Sequence, residues 1–150
     1  MPMMAVVLDA NVLVNELLKG RGIRWISGGA VDLSVTDVVV AEVREHLTRR
    51  LGEIVKLGRI EPEQATTAGE KAFALMKRHI RVVPAADVED YREIARRRIP
   101  GDEDDWRTAA LALTHGIAIV TEDRKHFWGC GIAIWSVERF LAELQAMEDN

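Results

Sequence analysis

The sequence predicts an α/β fold of three layers, α/β/α, around a central parallel sheet of four to five strands. Two observations carry this expectation. Short continuous apolar runs, the mark of strands buried on both faces, alternate with longer stretches whose apolar residues recur every three or four positions. No linker, repeat or low-complexity segment divides the 150 residues, so one domain over residues 1–150 is expected. A chain of this length can bury about 70% of its unfolded surface, enough for a core without staples.

The first apolar run is Val6-Val7-Leu8, ending at Asp9-Ala10-Asn11, after which Val12, Leu13, Leu17 and Leu18 fall at helical spacing. A second unit starts with Val31-Asp32-Leu33-Ser34-Val35. Thr36 or Asp37 is the N-cap of the helix that follows, which carries Val40, Val43, Leu47, Leu51 and Ile54 on one face and stops at Gly58. Glu61-Pro62-Glu63 opens another helix, with Ala65, Ala68, Ala72, Leu75 and Met76 as its apolar positions. Ile80-Arg81-Val82-Val83-Pro84 returns to strand character. Val88, Tyr91, Ile94 and Ala95 predict a helix over 87–98, broken by Pro100-Gly101. From Asp105 a helix with Trp106, Ala109, Ala110 and Leu113 on one face runs to Gly116. Residues 117–120 and 132–135 read as short strands, and 137–147 as a closing helix. The four tryptophans (Trp25, Trp106, Trp128 and Trp135) lie in apolar surroundings and are expected in the core or an interface.

Composition narrows the function classes. A net charge of −4 speaks against a module that binds nucleic acid by bulk positive charge. It leaves room for an enzyme that gathers carboxylates around divalent cations, because the bound ions change the local charge. Cys130 is the only cysteine, which removes intrachain disulfides and cysteine-rich zinc sites and fits a reducing compartment. The N-terminal apolar run has no basic flank and meets Asp9 too early for a signal peptide, and no stretch approaches the ~20 apolar residues of a membrane span. A cytosolic protein without membrane partners is expected.

In an open parallel sheet the ligand crevice lies at the carboxyl ends of the strands. Asp9 directly follows the first strand, and Asp123 follows the strand at 117–120 after Thr121 and Glu122. Asp105 opens the helix before that strand, where the positive end of the helix dipole stabilises a carboxylate by ~0.3–1 kcal/mol. Glu42, three residues after Val39, sits at the border of the apolar face of its helix. Carboxylates meeting at one point repel one another unless they protonate or a cation neutralises them. Ligands that are all oxygens suit Mg²⁺ or Mn²⁺ rather than zinc, and the matching chemistry is metal-assisted cleavage of a phosphodiester.

Each residue has a plainer reading. Asp9 or Asn11 alone is an N-cap, Asp102 to Asp105 an acidic helix start, Glu42 a solvated helix residue and Asp123 a turn residue. Their joint placement on one edge favours the site. Arg96, Arg97 and Arg98, and Arg44, Arg49 and Arg50 on the Glu42 helix, are candidate contacts for RNA phosphates, though each taken singly reads as part of a solvated face. His46, one turn after Glu42, is either a groove residue or a surface histidine.

The motifs resemble those of the PIN-domain ribonucleases. Asp9-Ala10-Asn11-Val12-Leu13-Val14 resembles the family's opening Asp-x-Asn-hydrophobic motif, and Ala41-Glu42 its helical glutamate. Asp105-Trp106-Arg107-Thr108-Ala109-Ala110-Leu111-Ala112 is similar to its aspartate opening an alanine-rich helix. Val120-Thr121-Glu122-Asp123-Arg124-Lys125-His126-Phe127 is similar to its Thr-x-Asp motif. The order holds from residue 5 to about 136. The resemblance implies Asp9, Glu42, Asp105 and Asp123 as catalytic acids and ligands of Mg²⁺ or Mn²⁺, with Asn11 and Thr121 in support. It implies cleavage of single-stranded RNA, and for single-domain members of the VapC type a toxin paired with an antitoxin and a homodimer. Arg107 stands where a related branch often has proline, so the register of the acidic run stays open among Asp102, Asp104 and Asp105.

Two other functions compete. A haloacid-dehalogenase-like phosphohydrolase also has an aspartate after its first strand, but needs a second one where this chain has Asn11. A catalytically inactive PIN-like module would bind RNA or protein without cutting, and clustered unused charge weighs against it.

Overall fold

The structure, a computed structural model, describes residues 4–99 and 105–150. Strand β1 (Met4–Leu8) leads into helices α1 (Ala10–Glu16) and α2 (Gly20–Ser27), then strand β2 (Val31–Thr36). Helices α3 (Asp37–Lys56) and α4 (Pro62–His79) return the chain to β3 (Ile80–Val83). A 3₁₀ segment (Ala85–Tyr91) precedes α5 (Arg92–Arg98), and then come α6 (Trp106–His115), β4 (Ala118–Val120), a 3₁₀ turn (Arg124–Phe127), β5 (Ile134–Trp135) and α7 (Val137–Glu148). The sheet order is β3-β2-β1-β4-β5 and every pairing is parallel.

The alternation of side chains along each strand builds two cores. Val6 and Leu8 of β1 point to the same face as Leu33, Val35 and Val120, where they pack with apolar residues of α1, α2, α3, α4 and α7. Val7 and Ile119 point to the other face, against Ala95 of α5 and Ala109, Ala110 and Leu111 of α6. The two crossovers from β1 to β3 put their helices on one face. The crossover from β3 to β4 runs back across the sheet, and right-handedness then demands the opposite face, where α5 and α6 lie. The expected three layers and parallel sheet are therefore present, at the upper end of the expected strand number.

Local signals explain most boundaries. Thr36 rather than Asp37 caps α3, its Oγ1 accepting the Val39 N–H at 3.3 Å, a bond worth about 1 kcal/mol. Gly116, at φ 64°, ends α6 in the left-handed conformation that glycine adopts without strain. The helix predicted over 87–98 is split, with a 3₁₀ first half and only Arg92–Arg98 α-helical. The break predicted at Pro100-Gly101 lies outside the described residues. Helix α2 is not foreseen in the sequence, because Gly20 and Gly22 are poor helix formers. Packing supplies what propensity lacks. A Cβ on Gly22 would come within 2.0 Å of the Glu16 carbonyl oxygen, and Trp25 packs edge-on against Phe140 with ring centroids 5.0 Å apart. Among the described residues no helix is long and apolar enough to cross a membrane.

Candidate active site

The strand order reverses at β1: β2 and β3 lie to one side, β4 and β5 to the other. The carboxyl ends of β1 and β4 therefore flank a topological switch point, where neighbouring connections leave towards opposite faces and open a crevice. Leu8 pairs with Val120, so the next residues along, Asp9 and Thr121, stand side by side at its floor.

Asp9 is only 9% exposed. One carboxylate oxygen accepts the Ala10 N–H at 2.9 Å, capping α1. The other accepts the Thr121 hydroxyl at 2.8 Å and the Asn11 amide at 3.3 Å. The Asp9 N–H in turn donates to the Val120 carbonyl at 3.0 Å. Thr121, fully buried, is the hub: its Oγ1 also accepts the Asp123 N–H at 3.0 Å and the Asn11 amide at 3.5 Å. A hydroxyl has one hydrogen and two lone pairs, and all three are in use. The Asn11 carbonyl accepts the Glu122 N–H at 3.2 Å, tying α1 to the segment after β4. The N-cap reading of Asp9 holds, and the same carboxylate lies beside Thr121 at the carboxyl ends of β1 and β4.

Burial pushes the Asp9 carboxyl above the usual carboxylate range. Hydrogen bonds from Thr121 and the Ala10 N–H oppose that shift, the negative charge of Asp123 adds to it, and His126 counters it. Asp9 thus feels both Asp123 and His126 electrostatically.

Asp105 precedes α6 without capping it. Its Oδ2 lies 3.1 Å from Nδ1 of His126, and Nε2 of the same ring lies 3.2 Å from Oδ2 of Asp123. The imidazole bridges two acids that come from different elements. Phe127, fully buried in the core beneath α6, anchors the 3₁₀ turn that presents His126.

Of the residues singled out from sequence, Asp9, Asn11, Thr121, Asp105 and Asp123 are joined by these contacts, with His126 as the additional member. Glu42 is half-buried on α3, which packs against α1, and its carboxylate is not among the groups these bonds link. Asp102 and Asp104 lie outside the described residues. His126, quoted in the sequence only as part of the fourth motif, sits between two of the acids. It is invisible to spacing because its partner Asp105 is 21 residues away on another element.

The candidate RNA contacts divide. Arg49 pairs with Glu45 at 2.9 Å and, with His46 and Arg50, lines a groove that begins at Asn11 and runs between α1 and α3. Arg50 is held there by the Val14 carbonyl and the Asn15 side chain. Arg96 and Arg97 are exposed on α5. Arg98 instead donates to the Cys130 carbonyl at 2.7 Å and braces the loop before β5. Of the tryptophans, Trp25 and Trp106 are buried in the core, whereas Trp128, at the end of the 3₁₀ turn, is 64% exposed and lies outside it.

The donor set fits a hard divalent cation in its chemistry. The charge of Asp123 disfavours that of Asp9, a conflict that a cation relieves. The described side chains meet pairwise through Thr121 and His126, and no three of the described histidines, cysteines and acids form a closed metal-binding group.

The PIN-domain family model matches residues 7–145. No curated protein matches the chain. Among solved structures, PAE2754 from Pyrobaculum aerophilum superposes with a TM-score of 0.67 at 22% identity, over 95% of this chain and 90% of its own. VapBC2 from Rickettsia felis, bound to a DNA fragment from their promoter, gives a TM-score of 0.60 at 15% identity, over 89% of this chain and 98% of its own. FitAcB from Neisseria gonorrhoeae gives 0.51 at 18% identity, over 87% of this chain and 96% of its own. At these identities the likeness speaks to the fold.

Proposed function

The chain belongs to the PIN-domain family, and on that premise we propose that it is a divalent-metal-dependent endoribonuclease that cuts single-stranded RNA. The observation that carries this reading is the Asp9–Thr121–Asp123 network at the switch point between β1 and β4, with Asp105 reached through His126. Asp9, Glu42, Asp105 and Asp123 are the proposed ligands of Mg²⁺ or Mn²⁺. When bound, the metal polarises the scissile phosphate and activates water.

The chain's own residues prepare that chemistry. Thr121 and Asn11 aim the Asp9 carboxylate, and the buried floor of the crevice keeps water from screening it. The groove of His46, Arg49 and Arg50 leads away from Asn11 with basic groups suited to backbone phosphates. The likeness to VapBC2, solved with DNA from their promoter, supports a further part of the proposal: the protein is the toxin of a toxin-antitoxin pair, acts as a homodimer in the cytoplasm, and is held by an antitoxin that binds DNA. A small DNA-binding protein encoded beside this chain would be the first sign of that partner.

The test is direct. Purified protein with Mn²⁺ should cut a single-stranded RNA oligonucleotide, chelation should stop it, and Asp9→Asn should slow it by ~10²–10³. An Asp9→Asn protein as active as the parent would sink the proposed site. The competing reading, a scaffold that binds without cutting, requires that Mn²⁺ leave the melting temperature where an equal ionic strength of simple salt leaves it.

A further inference from the structure

Among the described residues the exposed large apolar side chains are Ile23, Leu57, Val82, Ile94 and Trp128. The four aliphatic ones are scattered over α2, the end of α3, β3 and α5, and Trp128 alone is aromatic. Its surroundings fix it in the open. Phe127 before it and Cys130 after it are fully buried, and Arg98 holds the Cys130 carbonyl at 2.7 Å. A turn pinned on both sides does not pivot to bury the ring. The same turn is basic, since Arg124, Lys125 and His126 are exposed on it in a chain of net charge −4. The Trp128 N–H donates to the Lys125 carbonyl at 3.4 Å, and side chains three apart eclipse in a 3₁₀ turn, so the ring stands over Lys125. A protein partner needs a contiguous apolar patch. A single ring beside cations suits a nucleobase and its phosphate.

Resting on the single-stranded RNA substrate of the proposed function, we propose that Trp128 is the platform on which one base of that strand stacks, with Lys125 and Arg124 on its phosphates. The platform is near the acidic centre. Trp128 follows Asp123 by five residues, at most about 10 Å at the 3₁₀ rise of ~2.0 Å per residue. About three nucleotides stacked at ~3.4 Å each cover that span. The turn also lies opposite the groove of His46, Arg49 and Arg50. Phe127 beneath it belongs to the core on the α5 and α6 face, whereas α1 and α3 pack on the other face. A strand crossing the crevice between β1 and β4 therefore meets basic groups on one side and a ring on the other. A rigid indole gives contact area with little freedom to lose. Every base has a face to stack, so Trp128 contributes affinity without choosing sequence.

The experiment measures binding of a short fluorescein-labelled single-stranded RNA, and of an abasic strand of the same length, by anisotropy. The parent, Trp128→Ala and Trp128→Phe are compared in chelator, where the strand stays whole. Trp128→Ala should bind the RNA about 5- to 100-fold more weakly than the parent, the scale of one lost stack. Trp128→Phe should recover most of that loss, and all three proteins should bind the abasic strand alike. The salt dependence of binding should keep its slope in Trp128→Ala, because no phosphate contact is removed. An exposed position should leave the melting temperature unchanged. Equal RNA affinity of Trp128→Ala and the parent overturns the proposal, as does an equal loss on the abasic strand. A smaller oligomer for Trp128→Ala in sedimentation also overturns it, since the ring would then be a contact between copies of the chain. The reading beneath it fails separately, if the parent binds the strand and Mn²⁺ brings no cutting.

Discussion

The ends of β1 and β4 lie side by side, yet they treat their aspartates differently. Asp9 follows β1 at once and is buried, with both oxygens engaged. Asp123 comes three residues after β4, and its side chain is 45% exposed. The position on β4 equivalent to Asp9 holds Thr121. A second carboxylate there would face Asp9 across a hydrogen-bond distance and could not ionise with it. A hydroxyl supplies a donor instead, and that is what allows a carboxylate to sit at the crevice floor. Two acids at neighbouring strand ends are thus separated into a fixed one and an open one by a single intervening threonine.

The largest effect that would sharpen this contrast is on cleavage. Asp9→Asn should lower the rate of RNA cutting by ~10²–10³, the scale on which loss of one electrostatic group costs a preorganised site. Thr121→Val, which keeps the shape and deletes the hydroxyl, should lower the rate by ~10–100-fold. It should also destabilise the protein by ~1–3 kcal/mol in denaturant unfolding, because an Asp9 oxygen and the Asp123 N–H lose their buried partner. Wild-type stability in Thr121→Val would break the account of Thr121 as hub.

A smaller effect concerns pH. The folded-state pKa of Asp9 is raised above its ordinary value of 3.8, so the folded protein holds that proton more tightly than the unfolded chain. Its stabilising contribution is present at low pH and is lost as the pH rises from the unfolded value through the folded one. The melting temperature of the metal-free parent, measured relative to Asp9→Asn, should fall as the pH is raised from about 4 and then level off. Parallel curves for the two proteins would contradict a raised Asp9. The smallest change should come from Asp123→Asn, whose exposed side chain predicts a stability within ~0.5 kcal/mol of the parent. A drop like that of Thr121→Val would mean that the two strand ends are not different after all.

The parallel sheet, the three layers and the Asp9–Asp123 edge are legible in the sequence because strand ends and residue types coincide there. Asp9 needs only a short apolar run before it, and Thr121 and Asp123 need only another. His126 is not legible. Its meeting with Asp105 depends on how a 3₁₀ turn packs through Phe127 against the α6 layer, and no local pattern encodes that. Helix α2 escapes for a similar reason: its glycines read as loop, and the need for Gly22 appears only in its close approach to Glu16. Whether Trp128 lies in the core is not legible either, because an apolar neighbourhood in sequence does not say which side of a turn a ring takes.

The hydrogen bond from Thr121 to Asp9 joins residues 112 positions apart. At about 5–20 residues per second, a ribosome needs on the order of 10 s to pass from one to the other. Through that interval β1 lacks its β4 neighbour and the crevice has one wall. The carboxylate of residue 9 is thus made early and armed late: until Thr121 has been added, a growing chain carries no assembled centre.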